Sequence, residues 1–487
     1  MLWCQITPYN LLQYLTRIVR IIKGRTYYMK KNVDMLNGPV FSGMLRYAIP
    51  VILTSLMLTL FNTVDLIVVG QYCGSICVAA VSATSALTNL IVNFFVGFST
   101  GTGVSVARAA GAKNENAVHN LVHTALPAAA ICGGAISLIG TIFAPTFLQW
   151  MDTPANVLPL SSVYMRIYFS SMVFNMVYNF SASILRAVGE TKLPLFFLFI
   201  AGVINLSLNI FFVTVFKMNV DGVALATAIS KIVAATLAVT ALARRTDACQ
   251  LIFKDMRIYP KELLKIIKHG FPAGLQSSLF ALSNVFTASA INSFNSEAVI
   301  SGNGAAQNIQ GMMKCVTSGF YTTATNYIGQ NAGAKNYNRV RKVFFSCLAC
   351  SASVVITISL ILYGLNKPVL SLYITDNPEA IQYGITRMTY MTLPYFLLGL
   401  MDVATGALRG LGYSFVPMII SLMGACGLRI LWILTIFQIP QYHTLPVLYQ
   451  AYPVSWFLTF FVNLVLFLFL LRKKQKIENT LPQRSIA

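Results

Sequence analysis

The sequence predicts an all-α polytopic membrane protein: twelve transmembrane helices in two six-helix lobes related by a parallel pseudo-two-fold repeat. Three observations predict it. Of 487 residues, 56% are hydrophobic and only 10% are charged, against about 25% charged in soluble domains. Apolar runs of roughly 18–25 residues, enough to cross ~30 Å of hydrocarbon, recur along the whole chain. Finally, Gly111-Ala112-Lys113-Asn114 returns unchanged as Gly333-Ala334-Lys335-Asn336, 222 residues later. The same offset maps Pro50 onto Pro272, Asn62 onto Asn284 and Gly97-Phe98 onto Gly319-Phe320. Leu185-Arg186-Ala187-Val188-Gly189 is echoed by Leu408-Arg409-Gly410-Leu411-Gly412, and Pro194 by Pro417, one residue out of step. A repeat of this length is half a protein, too long for a solenoid unit.

In the first half the apolar runs fall at about 45–70, 83–108, 119–148, 158–181, 193–216 and 222–243. In the second they fall at about 263–293, 302–328, 342–365, 383–406, 414–437 and 449–471. They are continuous rather than alternating, which excludes a barrel and makes them helices. Six per half is an even number, so both halves have the same orientation and the pseudo-axis lies along the membrane normal. The expected organisation is a basic N-terminal extension (1–34), an N-lobe (35–244), a cytoplasmic linker (245–262), a C-lobe (263–472) and a cytoplasmic tail (473–487). Two such lobes leave a cleft between them, and rocking about it is the physical basis of alternating access.

The formal charge of +21 is topological. Arg17, Arg20, Lys23, Arg25, Lys30, Lys31 and Arg46 precede or open the first run, and Arg244, Arg245, Lys254, Arg257, Lys261, Lys265 and Lys268 fill the linker region. Lys335, Arg339, Arg341 and Lys342 follow the eighth run, and Arg472, Lys473, Lys474 and Lys476 follow the twelfth, while the alternate loops hold only Lys217 and Lys367. That asymmetry is the positive-inside rule. It puts both termini in the cytoplasm of a multi-pass plasma (inner) membrane protein and leaves no nucleic-acid footprint. Residues 1–28 lack a charged-then-apolar signal layout. They read as an over-extended start, with Met29 or Met35 the true one, in preference to a segment lying on the inner leaflet.

Met35-Leu36-Asn37-Gly38-Pro39 leads into Ala48-Ile49-Pro50, then Asn62-Thr63-Val64-Asp65 and Val69-Gly70. Gly111-Ala112-Lys113, Gly222-Val223-Ala224-Leu225-Ala226-Thr227, Gly329-Gln330-Asn331-Ala332-Gly333-Ala334 and Leu408-Arg409-Gly410-Leu411-Gly412 follow in order. With these motifs residues 35–472 resemble the bacterial multidrug and toxic compound extrusion (MATE) family. The resemblance implies twelve helices in two lobes and export of organic compounds driven by inward H⁺ or Na⁺. It also implies that the acid at Asp65 belongs to the ion-binding site of the first lobe, and that Pro50 marks where helix 1 can bend.

Of the fourteen acidic residues, only Asp65 and Asp402 fall well inside predicted spans. A charge at a helix centre costs about 2.5–3.5 kcal/mol on insertion scales, so an intramembrane acid is a functional candidate. Burial favours the neutral form of a carboxyl, which lets such a group take and release a proton near neutral pH. Asn62 lies one turn before Asp65, and Ser55 and Thr59 extend the stripe along helix 1. The alternative for Asp65 is a static pair with Lys231 on helix 6. The chain departs from proton-coupled relatives, which often carry a second acid on helix 5: here the segment reads Asn205-Leu206-Ser207-Leu208-Asn209. Asn209 can coordinate Na⁺ or hydrogen-bond Asp65, but it cannot titrate. Another branch uses acids on helices 7 and 10; helix 7 offers only Gln276, Asn284 and Thr287, and Asp402 stands at a different step. A single carboxylate suffices for H⁺, so H⁺ is the preferred ion.

Helix 8 carries a polar stripe at spacings of three or four: Gln307, Gln310, Lys314, Thr317, Tyr321 and Thr325. Lys314 is too deep to snorkel easily, and Arg429 on helix 11 is similarly embedded. Either can neutralise Asp402, which makes Asp402 structural. Helix 4 carries Tyr164, Tyr168, Ser171, Asn175, Tyr178 and Asn179, and helix 2 carries Asn89 and Asn93. Such walls suit flat organic cations through contacts of ~0.5–2 kcal/mol each. The same residue types also serve as interhelical glue. In the repeat alignment Asp65 faces Thr287, Asn179 faces Asp402 and Val92 faces Lys314, so the frame is symmetric and the charges are not.

No metal site or cofactor is expected. His119 and His123 are four apart but have no carboxylate near them in sequence, and His269 and His443 are isolated. The cysteines, including Cys347 and Cys350 within helix 9, form neither a zinc nor a disulfide framework; Cys73 and Cys77 offer one weak pairing. No GxxxxGK[ST] loop occurs, which argues against an ATP-driven pump. A membrane acyltransferase needs a deep catalytic His, and none lies mid-span, so an enzyme is not expected. The expected function is a monomeric, H⁺- or Na⁺-coupled antiporter in the lipid bilayer, exporting small organic, cationic or amphipathic compounds across the plasma membrane by alternating access. The alternative is a flippase of the same superfamily exporting lipid-linked sugars, whose members tend to have arginine-rich cavities and extra helices.

Overall fold

A computed structural model describes residues 33–375 and 377–480; the basic extension up to residue 32 and the last seven residues of the tail lie outside the described residues. The described residues are 86% helical, with no strand among them. Helices are α1 (Val40–Tyr72), α2 (Ser75–Gly111), α3 (Glu115–Trp150), α4 in two pieces (Leu158–Ser170 and Met172–Ala187), α5 (Lys192–Thr214) and α6 (Val220–Ala243). After the linker come α7 (Pro260–Asn292), α8 (Glu297–Gly333), α9 (Tyr337–Gly364), α10 (Pro378–Gly410), α11 (Phe415–Gln438) and α12 (Leu445–Thr480).

Nine of these are long and apolar enough to cross a membrane by length and composition among the described residues. The other three are α4, α7 and α8, for readable reasons. α4 is broken at Ser171 into pieces of 13 and 16 residues. α7 opens with Lys261, Glu262, Lys265 and Lys268, and α8 carries the amide and hydroxyl stripe. α1 passes through the buried Pro50 without a break, and Thr54 Oγ1 donates to the Pro50 carbonyl at 2.7 Å. α10 and α11 are less regular. α10 contains a π turn at Met388–Thr392 followed by a 3₁₀ turn at Leu393–Tyr395, where Pro394 cannot supply an amide hydrogen. α11 contains a π turn at Leu422–Gly427.

The repeated tetrapeptide is one and the same turn. Lys113 and Lys335 both take positive φ, 53° and 58°. Asn114 and Asn336 then cap the next helix, accepting from Ala117 N at 2.9 Å and Arg339 N at 3.1 Å. The contacts between the halves also come in pairs at the repeat offset. A Cβ on Gly111 would meet Gln330 O at 1.9 Å, and one on Gly333 would meet Arg108 O at 2.1 Å. One on Gly97 would meet Gly274 Cα at 2.7 Å, and one on Gly319 would meet Ile52 Cγ1 at 2.3 Å. Reciprocal contacts of this kind are what a two-fold axis produces.

The two seams differ in tightness. On α2 and α7 the facing stripes are Gly97-x-x-x-Gly101 and Gly270-x-x-x-Gly274, so backbone meets backbone, and a Cβ on Gly101 would lie 2.2 Å from Gly270 N. Phe94 packs edge-on against Phe271, with ring centroids 6.0 Å apart. These contacts occupy the part of α2 and α7 nearer the linker. Beyond them, Asn62, Asn89, Asn93, Asn284 and Gln307 are all exposed. The halves meet backbone to backbone at the linker end.

The cores divide along the same line. One cluster joins α2 to α6 through Phe98, Leu121, Phe180, Leu185 and Phe197. Another joins α8 to α12 through Phe320, Phe344, Trp456 and Phe467 and takes in the start of α1 at Met44 and Tyr47. The linker is bound to α3: His123 Nε2 accepts from Ile252 N at 3.0 Å and Thr124 Oγ1 accepts from Tyr259 N at 3.1 Å.

Candidate functional site

The interior of the first half is built around Asp65. α1 carries it against α5 and α6, whose inner faces at this level are amides and a hydroxyl. Asn209 Nδ2 donates to Asp65 Oδ1 at 2.5 Å, and Thr227 Oγ1 lies 3.5 Å from Oδ2. Asn209 Nδ2 also reaches Asn205 Oδ1 at 3.3 Å, and Asn205 Nδ2 reaches Thr227 Oγ1 at 3.3 Å, which closes a ring of neutral groups. None of the ion pairs among the described residues involves Asp65. The static pair with Lys231 is therefore not formed. Lys231 Nζ instead lies 3.4 Å from the centre of the Tyr168 ring and 3.5 Å from Ser171 Oγ. Asn62, one turn earlier on α1, is exposed and stands outside the ring.

Of the tyrosine–asparagine stripe on α4, Tyr164 and Tyr168 stack with centroids 6.1 Å apart. Asn179 Nδ2 donates to Asn175 O at 2.9 Å and Oδ1 at 3.0 Å, and Asn175 Nδ2 donates to Met172 Sδ at 3.5 Å. Tyr178 is buried and donates to the Pro194 carbonyl at 3.1 Å, which is a packing role.

The second half is organised by cations. Lys314 Nζ sits 2.7 Å from Asp402 Oδ2, with the lysine side chain half exposed and the acid nearly enclosed. Arg429 does not share this partner. Its Nε donates to Ser455 Oγ at 3.1 Å, and its guanidinium lies 4.2 Å from the Tyr452 ring centre, because α11 turns it toward α12 rather than α10. Gln276 on α7 accepts from Arg409 Nη2 at 2.7 Å, and Arg409 Nη1 donates to Tyr321 OH. Gln310 accepts from Arg387 Nε at 3.1 Å and Nη2 at 3.0 Å, and donates to Thr392 Oγ1 at 3.2 Å. Arg387 Nη1 also donates to Asn303. Gln307 and Asn284 are exposed.

Sequence reasoning missed Arg387, which stands at the edge of a predicted span and is nonetheless buried, and it saw Arg409 only as part of a motif. It also missed Thr227 as a neighbour of Asp65. The histidine pair gains a carboxylate that sequence distance hid: Asp255 of the linker lies 3.8 Å from His119 Nε2, and the three groups could hold a metal by proximity. Both ring nitrogens of His123 are nevertheless engaged, Nδ1 with His119 O at 2.8 Å and Nε2 with Ile252 N. Cys73 and Cys77 are not linked.

The MatE family model matches residues 50–211 and again 272–434, so its second match begins at Pro272, the repeat mate of Pro50. The chain is 27% identical over 447 residues to a probable multidrug resistance protein of Bacillus subtilis, YoeA, covering 90% of this chain and 95% of that protein. It is 23% identical over 398 residues to the probable multidrug resistance protein NorM of Thermotoga maritima, covering 80% and 83%. Among solved structures, a MATE transporter in an outward-facing conformation superposes with a TM-score of 0.86 at 18% identity, over 92% of this chain and 99% of that one. A MATE solved in a bent conformation gives 0.85 at 18% identity, over 93% and 100%. With the model matched in both halves, the chain belongs to the MatE family of multidrug efflux transporters, multi-pass membrane proteins rather than enzymes.

Proposed function

We propose that this protein is a monomeric antiporter that exports organic cations or amphipathic compounds across the plasma membrane in exchange for protons carried by Asp65. One observation carries the reading: the Asp65 carboxylate is held by Asn209 and Thr227, both neutral, inside a helical lobe. A carboxyl placed this way has no fixed counter-charge to hold it ionised, so its charge can follow the proton. The other intramembrane acid, Asp402, already has a cation at 2.7 Å, which supports a structural role for it. H⁺ is preferred over Na⁺ as the coupling ion because a single carboxylate suffices to carry a proton.

The linker end faces the cytoplasm in this reading, and the cleft opens outward. A monovalent cation leaving in exchange for one proton moves no net charge, so the pH difference alone drives the exchange, by about tenfold per unit. The flippase alternative has less support: Arg387, Arg409 and Arg429 are occupied by carbonyls, a phenol, a hydroxyl and aromatic rings. Purified protein in proteoliposomes, loaded with a fluorescent organic cation and given a pH or Na⁺ gradient, tests this. The expected result is cation movement driven by the pH gradient and lost in Asp65→Asn. Flux driven only by Na⁺, or an Asp65→Asn variant that transports like the wild type, overturns it.

A further inference from the structure

Lys231 stands one helical turn after Thr227 on α6, on the same face. A helical side chain leans back toward the preceding turn, so the four-carbon stem of Lys231 points to the level of Thr227, whose hydroxyl is 3.5 Å from Asp65 Oδ2. The ammonium nevertheless rests on the Tyr168 ring, 3.4 Å from its centre. Tyr168 is half of the stacked Tyr164–Tyr168 pair. An ammonium on a ring face occupies the place a flat organic cation would take by the same attraction. The ring thus already carries a cation, and that cation is part of the protein.

The surroundings leave few other groups to consider. α4 contributes Tyr164 and Tyr168, and its Arg166 is exposed. α5 contributes the neutral Asn205 and Asn209 and has no charged residue beyond Lys192 at its start. α2 has no charged residue before Arg108, near its end. α1 contributes Asp65, which forms no ion pair with Lys231 in this arrangement.

We propose that Lys231 is a tethered competitor for the exported cation, whose ammonium alternates between the carboxylate of Asp65 and the face of Tyr168. This rests on the reading of Asp65 as the proton carrier. With Asp65 ionised, the ammonium is drawn to it and the Tyr168 face is free for an organic cation. When a proton neutralises Asp65, the ammonium returns to the ring and the organic cation leaves. One proton enters and one cation departs. The arrangement seen here, with Lys231 on the ring and Asp65 served by amide and hydroxyl, is the released state.

Binding of tetraphenylphosphonium to the purified protein at one acid and one alkaline pH tests this. The wild type should bind more weakly at the acid pH, by roughly tenfold. Asp65→Asn should bind weakly at both, because nothing draws Lys231 off the ring. Adding Lys231→Met to Asp65→Asn should restore binding at both. A double variant as weak as Asp65→Asn overturns the role of Lys231 while leaving Asp65 as the proton carrier. An Asp65→Asn variant that keeps the wild-type pH dependence overturns the reading of Asp65, and this proposal with it. Where the double variant does not fold, Lys231→Gln alone serves: it should bind the probe more tightly than the wild type at the acid pH, and equal binding overturns the proposal.

Discussion

The two halves of this transporter each carry one aspartate inside an apolar helix, half-buried at Asp65 and buried at Asp402, and they treat it in opposite ways. In the first half Asp65 is met by an amide and a hydroxyl, and the nearest cation sits on a tyrosine ring instead. In the second half Asp402 is met by Lys314 at 2.7 Å. A common frame has therefore been kept while its charge chemistry split. An acid without a fixed counter-charge can change state during a cycle, whereas an acid in an ion pair resists doing so.

The sharpest way to break this comparison is to neutralise each acid in turn. Asp65→Asn should abolish proton-driven efflux, so that a one-unit pH gradient no longer supports the roughly tenfold cation gradient it supports in the wild type. The variant should stay folded, since an amide fits among amides. Asp402→Asn should do the reverse: lose stability with its residual folded fraction still transporting. The contrast is read by efflux assay beside thermal melting, and a transport-dead, fully stable Asp402→Asn would erase the difference between the halves.

The two seams supply the next test. On α2 a Cβ at position 101 would meet the Gly270 backbone at 2.2 Å, and backbone cannot step aside. At its counterpart seam, a Cβ at position 319 would meet Ile52 Cγ1 at 2.3 Å, a side-chain atom that can rotate away. Gly101→Ala should therefore weaken the closed linker end by about 1–3 kcal/mol and depress efflux, while Gly319→Ala costs clearly less. Equal melting temperatures for the two variants would mean that the seams are equivalent after all. For the Lys314–Asp402 pair itself, the loss in Asp402→Asn should be about 1–2 kcal/mol, between the values of exposed and buried pairs, since the lysine is half exposed. Lys314→Met in the same background should recover part of it.

What the sequence disclosed and what it hid follow one rule. Asp65, Asp402 and Lys314 stood out because a charge inside an apolar run is expensive wherever the run packs. Asn209 stood out because it stands where the family resemblance leads to the expectation of a second acid. Thr227 gave no such signal: threonine is ordinary in a membrane helix, and its place beside Asp65 depends on bringing together residues 162 positions apart. Arg387 looked like a span end, and only the packing of α10 on α8 encloses it between Asn303 and Gln310. The choice between Lys314 and Arg429 as partner of Asp402 was a question of helix rotation, which spacing alone does not answer. The two GxxxG stripes were in plain view, but which helices they join is a property of the fold. Periodicity carries the elements and cost carries the charges; the pairing of faces requires three dimensions.

The finest difference between the halves lies at a single loop. Gly189-Glu190 and Gly412-Tyr413 are repeat mates, and both glycines take positive φ, 88° and 97°. Glu190 accepts from Lys192 N at 3.2 Å and Leu193 N at 3.3 Å, capping α5. Burial pushes its carboxyl above the usual glutamate range, and these amides with Arg245 and Lys192 offset only part of that. A carboxyl that is raised in the folded state favours folding while protonated, and that contribution is lost as pH rises through its folded value. Glu190→Gln keeps an acceptor for the cap and removes the buried charge. Its melting temperature should therefore match the wild type in acid and exceed it slightly at neutral and alkaline pH. A melting curve series across pH checks this, and a variant less stable at alkaline pH would show that the cap needs a charge its counterpart Tyr413 does without.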